Sequence, residues 1–419
     1  MTEILSASDL LPLRMRALGL ERSTEPAARS DLDPAAGTRS RFGPAQIAAA
    51  ARRMLATQGQ DWRSARWALG VRAPGTTVAD VHGAFAEGLI VRSWPMRGTL
   101  HVVAAEDIGW IQGVTGHRVL AGAPARRKTI GLTDQTLDRL VEVSLEALRG
   151  STGLDRDALS AVWTAAGIEW QSGWRYHVIW WLCQNGLATF GPVHDTGEPL
   201  LVRTDEWISS PLSITGDEAL ATLATRYVGA RGPVRDRDFS WWTGLTLREA
   251  RRGLELARES GKLVTAHLDS ADGPALWADP DLLGYAEPLG SAGTALTPHA
   301  SAHDHEWLLL PSFDEHLLGY TDRAPQLPPE HFDRIVPGRN GMFLATVVEG
   351  GRVRGTWKRG ARVRSGLEVT PFPGERVEAA NLATPLAEWH SFHQTESLPV
   401  TVLPTPENLS PPAASHPSK

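Results

Sequence analysis

The chain has 419 residues, a length that suggests roughly two to four domains, and its composition is that of a globular protein that folds without disulfides. Its single cysteine excludes an internal disulfide framework, and the sequence shows neither a signal peptide nor an apolar run of about 20 residues that could span a bilayer. The 42 basic and 48 acidic residues give a net charge of −6, which as a whole-molecule average argues mildly against a nucleic-acid partner.

The first 125 residues contain an irregular segment followed by two helices and a hairpin. Residues 1–43 mix a short apolar stretch with a loop rich in Pro, Ala and charged residues. From residue 44, apolar residues at helical spacing predict a helix that runs into Gln58–Gln60, and a second, capped helix follows. Leu89–Val91 and Thr99–Val103 have the character of two strands joined by a tight turn. This order of elements is typical of a winged-helix domain, which we predict over residues 44–125.

Two further copies of this pattern follow. The second, over residues 126–210, has two helices and then a hairpin with a glycine-containing loop. The third, over residues 211–285, has a candidate recognition helix at Leu247–Ala257 and a hairpin directly after it. We interpret Trp241 and Trp242 in the third copy as core residues rather than as a platform for stacked bases, because tryptophans in helices are usually buried.

A change of pattern marks a β-rich module over residues 300–385. Trp307–Leu310 and Gly341–Val348 are apolar runs typical of buried strands, and Arg352–Lys358 alternates polar and apolar residues. The predicted fold class is therefore α+β, with three tandem winged helix-turn-helix domains and a C-terminal β-rich module. The Pro- and Ser-rich residues 404–419 are expected to form a disordered tail.

Motifs for several common chemistries are absent from the sequence. There is no glycine-rich phosphate loop, no Gly-x-Ser-x-Gly nucleophile turn and no His-Glu-x-x-His metal helix. We interpret the cluster His303–Glu306 as a polar loop before a strand, because adjacent residues rarely all face one metal ion. We therefore expect neither a metal nor another cofactor.

Gln58 and Gln60 flank a single glycine, and their amides are the remaining candidates for chemistry. A glutamine offers one acceptor oxygen and two donor hydrogens but is not a strong base at pH 7. Such groups suit a reaction that needs a positioned water and little proton abstraction, such as hydrolysis of the N-glycosidic bond of a cationic N7-alkylated purine. The residues alone nevertheless favour a simpler interpretation, in which the amides cap helix carbonyls and Gly59 supplies a left-handed turn.

Several basic clusters could contact phosphates despite the negative net charge. Arg248, Arg251 and Arg252 lie on one predicted helix, and Lys358 and Arg359 belong to a stretch with further arginines and no acid. An acidic protein with local basic faces is compatible with a DNA-binding protein that contacts a few phosphates. A solvated surface is the competing interpretation for each cluster.

Four stretches of the sequence carry motifs that occur together in a known family. They are Gln58–Asp61, Trp94–His101, Gly232–Leu245 and Leu310–Arg323. In combination they resemble the winged-helix DNA-binding proteins that include the AlkZ/YcaQ DNA glycosylases, and the resemblance extends from about residue 44 to about residue 375. It implies tandem winged helices around a barrel-like β scaffold, which together form a concave DNA-binding channel.

The resemblance also implies an activity, the removal of bulky alkylated purines and, in some members, the unhooking of interstrand crosslinks. The family's catalytic pattern is Gln, an aliphatic residue and then Gln, or Asp in a second branch, so it assigns catalysis to Gln58 and Gln60. Gly59 departs from this pattern and is expected to loosen the backbone that holds both amides. No lysine is linked to the glutamines, so we expect a monofunctional hydrolase without Schiff-base chemistry.

The remaining candidates are contacts to DNA. Arg97 and His101 of the first hairpin could reach phosphates or the groove, although His101 could equally point inward, and Arg323 could instead pack against the β scaffold. The expected partner is double-stranded DNA with alkylated or crosslinked bases, bound by a monomer in the cytoplasm without membrane contact. The alternative is a non-catalytic winged-helix DNA-binding protein, such as a transcriptional regulator.

Overall fold

The described part of the protein consists of five segments of the chain. In the computed structural model these are residues 3–21, 42–194, 197–284, 306–360 and 366–404. Most of the loop predicted before residue 42, residues 303–305 of the polar cluster and the tail from residue 405 lie outside them. Within the described segments no helix is both long enough and apolar enough to cross a membrane.

Helices account for most of the regular structure. The α-helices of the described segments are α1 (Ala7–Ala17), α2 (Phe42–Met54), α3 (Trp62–Gly70), α4 (Val78–Ala86), α5 (Ile108–Ala121), α6 (Ala123–Thr129), α7 (Asp134–Leu148), α8 (Arg156–Ala165), α9 (Ser172–Gln184), α10 (Thr204–Trp207), α11 (Gly216–Arg231), α12 (Asp236–Thr243), α13 (Leu247–Glu259), α14 (Glu315–Leu318), α15 (Phe332–Ile335) and α16 (Ala383–His393). The strands are β1 (Glu3–Leu5), β2 (Thr57–Gln58), β3 (Ile90–Met96), β4 (Thr99–Ala104), β5 (Ala188–Val193), β6 (Pro199–Arg203), β7 (Val264–Leu268), β8 (Ala275–Ala278), β9 (Trp307–Leu310), β10 (Thr346–Glu349), β11 (Arg352–Arg359), β12 (Leu367–Pro371) and β13 (Val400–Val402).

One antiparallel sheet joins the first two hairpins, in the order β2-β4-β3-β5-β6. Its two halves meet where Arg92 of β3 lies opposite Phe190 of β5. The helix predicted to run into the two glutamines ends earlier, at Met54, because Leu55 adopts a left-handed backbone conformation with a φ of 63°. The following residues then pair with β4 as the short strand β2. The glutamines are therefore at a sheet edge and not at a helix end.

The amino-terminal segment is part of the third unit, which the sequence did not predict. Strand β1 adds in parallel to β7 and thereby completes a three-stranded sheet with β8. On α1 the buried Arg14 donates hydrogen bonds to the Pro233 carbonyl and to the Gln326 side chain, both at 3.1 Å. The same guanidinium lies 4.1 Å from the centre of the Tyr320 ring. These contacts fasten α1 to chain segments more than 200 residues away.

The C-terminal β-rich module is an open sheet with the strand order β13-β12-β11-β10-β9. The barrel-like scaffold implied by the resemblance is therefore wrong, because within the described residues β9 and β13 form two separate edges. The run Gly341–Val348 forms a strand only from Thr346, where it pairs with β9 and β11. The assignment of the three helix-and-hairpin units as winged helices stays a prediction.

A buried core joins the first hairpin, the third unit and the C-terminal sheet. At its centre Trp242 is fully buried, and the Tyr227 ring lies 5.1 Å from both the Trp242 and the Phe239 rings. Its neighbour Trp241 differs, because successive residues of a helix point about 100° apart, and 38% of its surface is exposed. The core interpretation thus holds for Trp242 and not for Trp241.

Candidate active site

Gln58 and Gln60 lie side by side at the edge of the first sheet. Gln58 is buried on β2, and its Oε1 atom accepts a hydrogen bond from the Gln60 backbone N–H at 3.1 Å. Its Nε2 atom is 3.5 Å from Oε1 of Gln60, whose side chain is exposed to solvent. The buried Gln58 therefore holds Gln60 in place, and the amide of Gln60 is the one that solvent can reach.

Gly59 between them is held firmly, contrary to the expectation that it loosens the backbone. Its N–H donates to the Leu100 carbonyl at 2.8 Å, and its carbonyl accepts from Nε of Arg92 at 2.8 Å. A Cβ atom at this position would lie 3.1 Å from the backbone of His101, while the φ angle is not in the left-handed region. Glycine thus favours the close approach of β2 to β4 and does not serve a special backbone conformation.

Substitution of Gly59 by alanine is expected to lower the free energy of unfolding by about 1–3 kcal/mol, the usual cost of an extra methyl group in a packed site. The new Cβ must push β2 away from the His101 backbone by a few tenths of an ångström, so the two amides should also shift. Urea denaturation measures the first effect. Gly113→Ala is the matched control, because a Cβ there meets no atom within 4 Å. Equal stability of the two variants would contradict the close-approach argument.

Arg92 fixes this segment from the neighbouring strand. It is buried on β3 and donates to the Gly59 carbonyl, with a second, longer contact of 3.4 Å to the Gln60 carbonyl. Burial lowers the pKa of its guanidinium to about 10, so the side chain remains charged at pH 7. Two successive carbonyls of the glutamine segment are thereby held by one cation.

His101 points inward, which corrects its interpretation as a groove contact. It lies directly opposite Gln58 in the register of β2 and β4, and its side chain is fully buried. Its Nδ1 atom is 2.9 Å from the Thr99 carbonyl, so Nδ1 carries the hydrogen and Nε2 is left as an acceptor. Within the described residues Nε2 has no hydrogen-bond partner. Burial, and then the nearby Arg97, lower the pKa of His101 to about 3, so the ring is neutral at pH 7.

Arg97 and Arg323 come together on the exposed ring of Trp241. Arg97 lies in the β3–β4 turn with its guanidinium 4.8 Å from the ring centre, and Arg323 approaches the same ring at 5.3 Å. The Phe343 ring lies 5.2 Å from the Arg323 guanidinium. Burial lowers the pKa of both arginines. We call these four residues the Trp241 cluster; it places two positive charges beside a partly exposed aromatic ring.

A buried ion pair anchors the glutamine segment from the other side. Arg231 at the end of α11 and Glu315 at the start of α14 are both buried, with Nη2 2.8 Å from Oε2. Arg231 also donates to the carbonyls of Met54 at 3.1 Å and Ala56 at 3.0 Å, directly before β2. The Trp242 indole N–H donates to the same Glu315 oxygen at 2.9 Å. One network thus connects α11, α12, α14 and the residues that lead into β2.

Neither Arg231 nor Glu315 was assigned a role from the sequence. Glu315 lies within the Leu310–Arg323 stretch, in the ionisable run Asp314–His316 between apolar residues, and that run was the available signal. Arg231 carries no local signal, because its partner is 84 residues away.

The other predicted DNA contacts lie on the surface, and most are engaged. On α13, Arg251 and Arg252 form ion pairs with Asp236 and Asp217. The other three residues are exposed as well. They are Arg248 on α13, Lys358, whose Nζ atom is 3.2 Å from Glu368, and Arg359, whose guanidinium lies 4.9 Å from the Trp389 ring centre. Among the described residues, no hydrogen bond or ion pair joins any of these five side chains to the glutamines or to the Trp241 cluster.

Comparison with known proteins identifies the family. The chain matches the family described as DNA glycosylase AlkZ-like over residues 51–392. An interstrand DNA cross-link repair glycosylase from Streptomyces sahachiroi is 26% identical over an alignment of 368 residues, which covers 84% of this chain and 91% of the relative. The solved structure of Streptomyces sahachiroi DNA glycosylase AlkZ has a similar fold, with a TM-score of 0.72 at 22% identity, covering 95% of this chain and 100% of that one. Because the family match spans most of the sequence, the chain belongs to the DNA glycosylase AlkZ-like family.

Proposed function

We propose that the protein is a monofunctional DNA glycosylase that hydrolyses the N-glycosidic bond of bulky N7-alkylated purines and unhooks interstrand crosslinks. The observation that carries the proposal is the contact between the amides of Gln58 and Gln60 at the edge of the first sheet. Membership of the family supports the reaction class, and the name of the Streptomyces relative supports a crosslinked substrate.

The chemistry needs little from the protein beyond orientation and charge complementarity. An N7-alkylated purine is cationic, so it departs as a neutral base while the sugar gains oxocarbenium character. Gln60 is exposed, and its side-chain oxygen can accept a hydrogen bond from a water. The Oε1 atom of Gln58 accepts a hydrogen bond from the Gln60 backbone N–H and so holds Gln60 in place. In this mechanism Gln60 orients the attacking water and Gln58 positions Gln60.

The Trp241 cluster is proposed to be a further contact to DNA. Arg97 and Arg323 carry the charge that a phosphate requires, and the exposed part of the Trp241 ring can contact a base. The exposed Arg248, Lys358 and Arg359 would add phosphate contacts further away. We expect the protein to act as a monomer in the cytoplasm.

Base release from defined lesions tests the function. The wild-type protein is incubated with a duplex that contains one N7-alkylguanine, and separately with a nitrogen-mustard crosslink. We expect free alkylated base and an abasic strand that breaks only after alkali, as well as separation of the crosslinked strands. Salt-dependent binding to both duplexes without any base release would instead support the non-catalytic DNA-binding protein.

A further inference from the structure

A cavity of about 400 Å³ lies beside the β3–β4 turn and has no part in the proposed reaction. Its lining combines glycine, basic and aromatic residues from three helices and the turn: Gly98, Gly122, Arg126, Tyr176, His177 and Trp180. The volume is within the range of pockets that bind small organic groups. Gly98 directly follows Arg97, so the same turn lines this cavity and contributes to the Trp241 cluster.

One wall of the cavity is aromatic and open to solvent. Tyr176 and Trp180 stand one turn apart on α9, and Tyr176 keeps 57% of its surface exposed. Its ring packs edge-on against the buried Trp94 at 5.9 Å and an interplanar angle of 84°, which holds it in place. A fixed, exposed aromatic face is suited to stacking on another flat ring.

The inner end of the cavity carries an unsatisfied polar atom. His177 is buried, and within the described residues its Nε2 atom has no hydrogen-bond partner. The ring lies 5.2 Å from the Trp180 ring at an interplanar angle of 33°. Burial, followed by Arg127 and Arg126, lowers the pKa of His177 to about 4, so at pH 7 the ring is neutral. A buried polar atom of this kind is costly unless a ligand bonds to it.

The mouth of the cavity is positively charged. Arg126 on α6 is exposed, and no ion pair to it occurs among the described residues. Its neighbour Arg127 is 5.0 Å from the Trp181 ring and is paired with Asp134 at 2.8 Å. A cation without a partner at the edge of an aromatic cavity favours a ligand with an anionic group next to a flat ring.

We propose that this cavity binds one unstacked nucleobase of the DNA strand, with the base against Tyr176, its polar edge at His177 and its phosphate at Arg126. A nucleotide is the ligand class that combines a flat ring, a hydrogen-bonding edge and a phosphate. The proposal rests on the proposed function in that DNA is the ligand. It goes beyond that function because it assigns a separate binding site to a base that is not cleaved.

Two bulged duplexes test the proposal. One contains a single unpaired adenine and the other an abasic analogue at the same position, and fluorescence anisotropy gives both dissociation constants. We expect the wild-type protein to prefer the adenine bulge by roughly ten-fold, the size of one stacking interaction. Tyr176→Ala should remove the preference, Tyr176→Phe should keep it, and Arg126→Ala should weaken binding of the adenine bulge.

The controls change similar residues away from the cavity. Leu212→Ala removes another exposed apolar side chain, and Arg139→Ala removes an exposed arginine of α7, so both should keep the preference. The proposal is overturned if the preference survives Tyr176→Ala. It is also overturned if free dAMP, which lacks a strand, binds as tightly as the adenine-bulge duplex. Base release from an alkylated duplex, measured in parallel, reports on the proposed function alone, so the two ideas can fail separately.

Discussion

Base release by the Gln58→Ala variant is expected to be roughly 100- to 1,000-fold slower than by the wild-type protein, the usual loss when one oriented polar group of a catalytic site is removed. Alanine deletes the Oε1 atom that accepts the Gln60 N–H at 3.1 Å, so the exposed amide loses its support. Gln60→Ala should have a similar effect, because it removes the amide that is proposed to orient the water. Single-turnover base release from an N7-alkylguanine duplex measures both rates.

Non-additivity gives a sharper test of the two roles. Because one amide acts through the other, the double variant should be no slower than the slower single variant. Gln135→Ala, which changes an exposed glutamine on α7, is the matched control and should keep the wild-type rate. Duplex affinity should change little in all variants. If the rate loss of the double variant equals the product of the two single losses, Gln58 and Gln60 act independently.

Replacement of Arg231 by methionine is expected to lower the free energy of unfolding by about 3–5 kcal/mol, the range found when one partner of a buried ion pair is removed. Glu315 would remain buried with only the Trp242 indole N–H as a donor from this network. The carbonyls of Met54 and Ala56 would lose their donor as well. Guanidinium denaturation measures the effect. Arg139→Met, which breaks an exposed pair with Glu142, is the control, and its free energy of unfolding should not fall measurably.

The Arg231→Met/Glu315→Leu double variant separates stability from positioning. An apolar pair of similar volume avoids the uncompensated carboxylate, so much of the lost stability should return. Base release should stay low, because no donor then holds the carbonyls before β2. Recovery of both properties would show that the ion pair does not position the glutamines.

The sequence predicted those parts of the fold that depend on local patterns. Helices α8 and α9 and the hairpin after them lie where apolar periodicity indicated, since these elements arise from neighbouring residues. Strand β2 is different. It has two residues, and it exists because its backbone pairs with β4 more than 40 residues later, which no local pattern reveals. Open strand edges in the C-terminal sheet likewise depend on long-range pairing.

The candidate site was predictable in composition but not in arrangement. Gln58 and Gln60 came from the family resemblance, which the family match confirms, while their roles stay a prediction. The meeting of Arg97 and Arg323 at Trp241 brings together three distant segments, so it required the tertiary structure. Gly59 departs from the family pattern in the sequence itself, but its close approach to the His101 backbone depends on the pairing of β2 with β4 and so required the tertiary structure.

The pairing of β1 with β7 has a consequence for the order of events during protein synthesis. Glu3 lies opposite Ala266, so the first strand is made about 260 residues before its partner. At the usual rates of translation this interval is roughly 13 to 50 s. During that time the apolar side chains of α1, among them Leu10 and Leu11, have no core to enter and are exposed to chaperones or to other chains. The third unit therefore cannot complete its sheet until β1, which is made about 260 residues earlier, pairs with β7.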